Sequence, residues 1–163
     1  MVITLVLHNI PPLYDRNSRI LILGSFPSVK SRETEFFYAH PQNRFWRILE
    51  NIYGCEHCES VSDKKKLILS NHLALWDTIA SCDVTGSADS SIKNVKPNDI
   101  SVILNNAAIE RIFCNGSMSY KLYCRYILPV VKTEAYKLPS SSPANAAYSL
   151  ERLIDEWKNR LLE

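Results

Sequence analysis

The sequence predicts a three-layer α/β domain in which a mostly parallel β-sheet lies between helices. Short apolar runs alternate with segments of helical period along the chain, an order typical of parallel sheets covered on both faces. The chain has 163 residues, of which 46% are hydrophobic and 22% are charged. That length and balance suffice for one hydrophobic core without a disulfide or a metal ion. We therefore expect a single domain over residues 1–163.

The first strand and the first helix have the clearest patterns. Residues 20–23 form a continuous apolar run that ends at Gly24, as expected for a strand buried on both faces. Residues 43–53 follow the helical period, and Gly54 is a suitable residue to end that helix. The apolar side of this helix carries Phe45, Leu49, Ile52 and Tyr53.

The middle of the chain repeats the order of helix and strand. Ser62 and Asp63 can cap a helix over residues 64–70, and residues 74–80 then offer a second buried strand. Asn98 is expected to cap a further helix. The inward face of that helix carries Ile103, Leu104 and Ala107.

The last part of the chain completes the sheet. Residues 111–114 are predicted to form a strand, and a helix over residues 117–126 is predicted to stop before Pro129. Residues 130–138 form the last predicted strand. The final helix covers about residues 146–162 and places its apolar residues on one stripe.

Charge and cysteine content narrow the class of protein. Nineteen Lys and Arg against 17 Asp and Glu give a net charge of +2, which allows nucleic-acid binding but lacks the strong basic bias of a protein that coats DNA. No apolar run approaches the roughly 20 residues of a membrane span.

The five cysteines suit reduced thiols. Cys55 and Cys58 have the spacing of half a zinc site, but no second pair follows. We expect a soluble, cytoplasmic protein without a structural metal.

Ligands of parallel sheets bind beyond the carboxyl ends of the strands, and three loops lie there in the predicted order. The first loop, residues 24–43, is long and joins an aromatic cluster to cations and amides, which suits a pocket for a nucleobase. A hydrophobic loop packed over the sheet is the alternative. The residues behind this prediction are Lys30, Arg32, Phe36, Phe37, Tyr38, His40, Gln42, Asn43 and Arg44.

The loop over residues 139–145 has the composition of a phosphate site. Three serines precede a predicted helix N-terminus, where unpaired N–H groups and the helix dipole attract an anion. The stiff apolar pair Pro143 and Ala144 can enter a base stack when a nucleotide is extruded. An ordinary helix cap by Ser142 or Asn145 is the alternative.

The remaining loop and one acidic residue leave two alternatives each. Residues 82–94 are rich in Ser, Asp and Gly, and they either bind a polar ligand or turn the chain. Asp77 lies in an apolar run, where an unpaired carboxylate is costly. It is either a site residue or a hydrogen-bonding residue of the core.

The chain contains no P-loop and no G-x-G-x-x-G, and GSFPS lacks the G-x-S-x-G pattern of hydrolases.

Three segments together resemble the uracil-DNA glycosylase superfamily. They are GSFPS at 24–28, FYAHPQNRFW at 37–46 and LPSSSPAN at 138–145. Within the superfamily the chain is most similar to the hypoxanthine-DNA (DNA-deoxyinosine) glycosylases, and the mismatch-specific uracil glycosylases share a similar AHPxNRFW segment. The likeness extends in order over residues 21–157. It implies a central four-stranded parallel sheet in an α/β/α sandwich.

The resemblance also implies roles for individual residues. Asn43 matches the catalytic asparagine of HPxNRFW, and its amide oxygen is expected to hold the attacking water against C1′. In many relatives the third position of the first motif is an Asp or Asn that handles this water, whereas this chain has Phe26. The catalytic assignments are Asn43, Gly24, Ser25 and Phe26. The base-binding assignments are Tyr38, which would stack on the extruded base, Asp77 and His40. The DNA-binding assignments are Ser28, Ser140, Ser141, Ser142, Pro143, Ala144 and Asn145.

The implied activity is removal of a deaminated base, hypoxanthine first, by base flipping and hydrolysis in base excision repair. No lysine occupies a motif position as a nucleophile, so a monofunctional enzyme that leaves an abasic site is expected. We expect no cofactor, metal or iron–sulfur cluster, no membrane contact and a monomer that acts with the nucleoid of a prokaryotic cell. A downstream abasic-site endonuclease is the expected partner. The alternatives are a uracil or mismatch glycosylase, a lesion-binding protein that does not cut, and a nucleosidase or esterase for small molecules.

Overall fold

The computed structural model describes residues 4–7, 10–84 and 93–163. Within these residues the strands are β1 (Thr4–Leu7), β2 (Ile20–Gly24), β3 (Leu73–Asp77), β4 (Ile79–Val84), β5 (Lys93–Pro97), β6 (Arg111–Asn115) and β7 (Ala135–Leu138). The α-helices are α1 (Val29–Thr34), α2 (Phe45–Tyr53), α3 (Val61–Ser70), α4 (Ser101–Leu104), α5 (Ser117–Leu122), α6 (Leu128–Val131) and α7 (Leu150–Leu161), and a π-helix (Tyr123–Ile127) joins α5 to α6. None of the helices in these ranges is long and apolar enough to cross a membrane.

The central sheet consists of four parallel strands in the order β3-β2-β6-β7. Along β2 the side chains alternate between two separate cores, because successive residues of a strand point to opposite faces. Ile22 packs under α2, α3 and α7, whereas Leu21 and Leu23 pack under α4 and the π-helix. The predicted four-stranded parallel sheet between two helical layers is confirmed.

A second sheet was not predicted. Strands β1, β4 and β5 form a three-stranded antiparallel sheet. The predicted single strand over residues 74–80 is wrong, because the chain turns at Thr78, whose N–H donates to the carbonyl of Gly24 over 2.8 Å. β3 therefore ends at Asp77 and β4 begins two residues later. The predicted loop over residues 82–94 falls partly in these strands, and its residues 85–92 lie outside the described part.

Two predicted caps are replaced by other residues. Asn98 does not cap a helix: its amide donates to the carbonyls of Asp77 and Ile79, over 2.8 and 3.3 Å, and so ties the turn after β3. α4 begins only at Ser101. The cap of α3 is Ser60, not Ser62 or Asp63, and its hydroxyl accepts from the N–H of Asp63 over 3.0 Å.

The predicted ends of the later elements also shift. Pro129 does not stop the helical segment, because it lies in the first turn of α6, where a residue without an N–H is tolerated. The helical course ends at Lys132 (φ 57°), so β7 is shorter than the predicted strand over residues 130–138. α7 begins after Ser149, whose hydroxyl accepts from the N–H of Arg152 over 3.2 Å. By contrast, α2 ends at Gly54 (φ 66°) as predicted.

Candidate active site

A cavity of about 800 Å³ opens at the carboxyl ends of the parallel strands. The predicted loops over residues 24–43 and 139–145 both line it, whereas no described residue of the loop over residues 82–94 does. Nearly all of the predicted site residues meet in this cavity, and only Pro143 is absent from its lining. Those in the lining are Gly24, Ser25, Phe26, Ser28, Tyr38, His40, Asn43, Asp77, Ser140, Ser141, Ser142, Ala144 and Asn145.

The backbone of Gly24 approaches two polar side chains closely. Gly24 and Asp77 are register partners at the ends of β2 and β3. A Cβ atom on Gly24 would lie 2.5 Å from Oδ1 of Asp77 and 3.0 Å from the hydroxyl of Tyr38. Only a residue without a Cβ fits here without moving these groups, so the glycine brings a carboxyl and a phenol to one point of the cavity.

Two polar atoms at this point are buried without a hydrogen-bond partner among the described residues. They are Oδ2 of Asp77 and the hydroxyl of Tyr38, which lies near the Asn115 side chain but not in good hydrogen-bond geometry with it. Burial raises the pKa of Asp77 to about 7. Burial, and next to it the negative charge of Asp77, holds the pKa of Tyr38 well above its ordinary value. An unsatisfied buried polar group is costly, and beside a cavity either water or a ligand can supply the missing bond.

The aromatic residues of the first loop divide between the core and the cavity. Phe36 and Phe37 are buried in the hydrophobic core, as the alternative interpretation of this loop proposed, and Phe37 also lines the cavity. Tyr38 has a left-handed backbone (φ 52°) and stacks on Phe45, with ring centroids 3.9 Å apart and planes inclined by 18°. Phe45 thereby covers one face of the Tyr38 ring, and Tyr38 also lines the cavity.

The side chain of Asn43 is held by two hydrogen bonds to the same oxygen. Its Oδ1 accepts from the N–H of Phe45 over 3.0 Å and from the hydroxyl of Ser141 over 2.8 Å. The bond from Phe45 joins Asn43 to the beginning of α2. The bond from Ser141 joins it to the loop that follows β7. The predicted loops over residues 24–43 and 139–145 are therefore connected through Asn43.

Ser141 does not have the position expected of a DNA contact. It is completely buried, and its hydroxyl accepts from Nδ2 of Asn115 over 2.9 Å while donating to Asn43. The N–H of Ser141 donates in turn to Oδ1 of Asn115 over 3.0 Å. The DNA-binding role predicted for Ser141 therefore changes to one inside the protein. The sequence gives no signal for the role of Asn115, at the end of β6, because a single polar residue at a strand end belongs to no motif.

Arg44 holds the loop after β7 in place. Its guanidinium donates to the carbonyls of Ser141, Ser142, Asn145 and Tyr148, over 3.4, 2.8, 3.0 and 2.5 Å. α7 begins beyond this loop, so the prediction of a helix N-terminus directly behind the serines is wrong and Arg44 organises the segment instead. The sequence offered one signal, because Arg44 belongs to the same HPQNRFW segment as Asn43.

The tip of this loop is exposed and rigidly supported. Pro143 and Ala144 are exposed, and the N–H of Ala144 donates to the hydroxyl of Ser142 over 3.1 Å. The hydroxyl of Ser140 accepts from the N–H of Ser142 over 3.1 Å, and Nδ2 of Asn145 donates to the carbonyl of Ser140 over 3.0 Å. These bonds connect the tip to the rest of the loop, and its role as a wedge between bases stays a prediction.

The cavity lining also includes the cation of Arg32. The guanidinium of Arg32 lies 5.3 Å from the ring centroid of Phe26, and its Nε is buried without a hydrogen-bond partner among the described residues. Ser28 is exposed and caps α1 by accepting from the N–H of Ser31 over 3.2 Å. Nδ1 of His40 accepts from the N–H of Gln42 over 3.1 Å, which leaves Nε2 of a neutral ring as the donor.

Cys55 is exposed and Cys58 is buried. In the described part of the chain, no three His, Cys, Asp or Glu side chains are grouped so that they could hold a metal ion.

The comparisons with known proteins agree with the motifs that meet in this cavity. A family model described as the uracil DNA glycosylase superfamily matches residues 11–163. The chain belongs to the uracil DNA glycosylase superfamily. Among solved structures, the solution NMR structure of a candidate uracil DNA glycosylase from Methanosarcina acetivorans has the same fold. It superposes with a TM-score of 0.81 at 31% identity and covers 97% of each chain.

Two relatives within the superfamily carry a more specific name. A protein of Methanosarcina acetivorans named hypoxanthine DNA glycosylase is 34% identical over 150 residues, which are 91% of this chain and 93% of the relative. A protein of the same name from Methanosarcina barkeri is 33% identical over 141 residues, which are 83% of this chain and 85% of the relative. The predicted family is confirmed by these matches.

Proposed function

We propose that this chain is a monofunctional DNA glycosylase that hydrolyses the N-glycosidic bond of a deaminated base, with hypoxanthine as its first substrate. One observation carries the proposal: two unpartnered buried groups, the Asp77 carboxyl and the Tyr38 hydroxyl, converge beside Gly24 at the cavity. Membership of the superfamily and the name of the two Methanosarcina relatives support it.

The two groups suit a base that carries an oxo group. Deamination replaces an exocyclic amino group by an oxo group, whose oxygen can accept two hydrogen bonds. Tyr38 remains a neutral donor because its pKa is raised, and Asp77 donates in its neutral form. As the glycosidic bond breaks, negative charge moves onto the departing base, so donors aimed at it gain strength in the transition state. The phenolic O–H lies in the plane of the Tyr38 ring, so a base that accepts this hydrogen bond does not also stack on the same ring, and the predicted stacking is the alternative role of Tyr38.

The reaction then needs only water. The base is flipped out of the duplex, at a cost that is lowest for a poorly paired deaminated base. Water adds to C1′ of a deoxyribose with oxocarbenium character, and the departing base takes up a proton. Lys30 and Lys137 line the cavity but are exposed, whereas a lysine nucleophile that forms a Schiff base is usually desolvated. The product is an abasic site, which an abasic-site endonuclease in the cytoplasm would process further.

The decisive experiment uses labelled duplexes that carry one inosine, xanthine, uracil or G·T mismatch. Each is incubated with the protein and then treated with alkali, which breaks the strand at abasic sites. We expect breakage chiefly at inosine and only after alkali. Breakage chiefly at uracil would show that uracil, not hypoxanthine, is the preferred substrate. Breakage without alkali would contradict the monofunctional mechanism.

Phe26 supports a second candidate, a protein that binds lesions without cutting. It occupies the position at which many relatives have an Asp or Asn, and it lies under the Arg32 guanidinium. Selective binding of the inosine duplex without release of base, by protein shown to be folded, would establish this candidate.

Gly24→Ala is expected to lower base release by roughly 100-fold, since the added Cβ would displace Asp77 or Tyr38 and small misplacements of reacting groups have effects of this size. The measurement is single-turnover release of hypoxanthine. Gly54→Ala is the matched control: no atom lies within 4 Å of the added Cβ, and the cost at φ +66° is one of stability. Equal activity of both variants would show that the close approach at Gly24 is not required.

A further inference from the structure

The orientation of Asn43 differs from the one that its expected role requires. A residue that holds water through its amide oxygen needs a free lone pair on that oxygen. Both lone pairs of Oδ1 are occupied, by the N–H of Phe45 and the hydroxyl of Ser141. The N–H of Phe45 can only donate, so its acceptor on Asn43 is the oxygen and the amide is not flipped.

A chain of hydrogen bonds fixes the direction of every group in this arrangement. The N–H of Ser141 identifies Oδ1 of Asn115 as its acceptor, which leaves Nδ2 of Asn115 to donate to the Ser141 hydroxyl. That hydroxyl must then direct its own proton to Asn43. Since Ser141 is completely buried, water does not compete for these bonds.

The amide nitrogen of Asn43 is the group that remains. Asn43 is half-buried and lines the cavity, and no described residue accepts a hydrogen bond from its Nδ2. On the basis of the proposed function, we propose that Asn43 acts as a hydrogen-bond donor to the departing base, and that Asn115 and Ser141 are the positioning residues that hold it in this orientation. The attacking water is then held by other groups.

Substitution of Asn43 by Asp separates the two roles. An aspartate at this position retains an oxygen for Phe45 and Ser141, but it replaces the donor by a negative charge. If Asn43 donates to the departing base, Asn43→Asp and Asn43→Ala both lose roughly 100-fold or more in single-turnover rate. If Asn43 instead held water, the carboxylate would be the better acceptor and Asn43→Asp would retain or exceed the wild-type rate, which would overturn the proposal.

A double-mutant cycle tests the positioning residues. Ser141→Ala is expected to lower kcat about tenfold with little change in KM, because Asn43 becomes free to rotate. In the Asn43→Ala background the same change should have almost no further effect, since Ser141 acts through Asn43. A purely structural role would reduce activity equally in both backgrounds. Ser149→Ala, which removes the cap of α7 outside the cavity, is the matched control and should retain the wild-type kcat.

Binding distinguishes failure of this inference from failure of the proposed function. Each variant is also titrated with a duplex that carries a 2′-fluorinated deoxyinosine, whose glycosidic bond resists cleavage. If the wild-type protein binds this duplex selectively but does not cut the unmodified inosine duplex, the glycosylase proposal is refuted, while weaker binding by Asn43→Asp still supports a donor role of Asn43 toward the base. If the wild-type protein cuts the inosine duplex and the Asn43→Asp variant is also active, only the donor role of Asn43 is refuted. Protein that neither cuts nor binds refutes both.

Discussion

Asp77→Asn is expected to retain base release near pH 6 and to lose the decline that wild-type protein shows above pH 7. The pKa of Asp77 is raised to about 7, so its carboxyl is neutral below that pH and ionised above it. The neutral form donates to the departing base, whereas the ionised form repels it. The wild-type rate should therefore fall as the pH rises through 7, approaching about tenfold per pH unit at higher pH. An asparagine keeps a donor in the same place at every pH.

The measurement is the single-turnover rate of hypoxanthine release between pH 5.5 and 9. Asp99→Asn is the matched control, because Asp99 is exposed and bonds to Ser101 at the beginning of α4. It should reproduce the wild-type profile. An Asp77→Asn variant that is inactive at every pH would instead show that the ionised carboxylate is needed, for example as a base for the attacking water.

The same ionisation affects stability, which provides a readout independent of activity. The pKa of Asp77 is raised from 3.8 in the unfolded chain to about 7 in the folded protein, so folding takes up a proton between these values. The free energy of unfolding contributed by this group should fall as the pH rises from about 4 to about 7, by roughly 4 kcal/mol, and then level off. Urea denaturation of Asp77→Asn should show no such loss.

The sequence predicted those parts of the fold that have local signals. β2 was recognised from its continuous apolar run, and α2 from its apolar face and from Gly54. The antiparallel sheet gave no such signal, because β5 is largely exposed and reads KNVKP, and because its pairing with β4 is not local. Pro129 is equally compatible with the end of one helix and the first turn of another. Only packing decides between these alternatives.

The site could be predicted in composition but not in its internal bonds. The motifs indicated which segments meet, since the carboxyl ends of parallel strands share one edge of the sheet. Whether Ser141 points to DNA or to Asn43 depends on Asn115, which is distant in sequence and belongs to no motif. A hydroxyl suits both arrangements. The direction of these bonds, which leaves the Asn43 amide nitrogen as a donor toward the cavity, can therefore be established only from the structure.

Arg44→Lys is expected to lower base release by roughly 100-fold while the core remains folded. One guanidinium donates to four carbonyls of the loop after β7, and a lysine ammonium cannot reproduce this planar set of donors. Freed of these bonds, the loop should loosen, and with it Ser141 and the orientation of Asn43. Hydrogen bonds from a charged donor each contribute about 1.5–3 kcal/mol, so amide exchange over residues 141–148 should accelerate by at least about 100-fold.

Arg47→Lys is the control for this prediction, because Arg47 lies one helical turn along α2 and is exposed. It should leave both the rate and the exchange unchanged. In Arg44→Lys the amides of β2 should also stay protected, since the change is confined to the loop. Faster exchange in the loop without loss of base release would show that the loop need not be rigid before DNA binds. Loss of release without faster exchange would mean that Arg44 contacts the substrate directly rather than positioning Ser141 and Asn43.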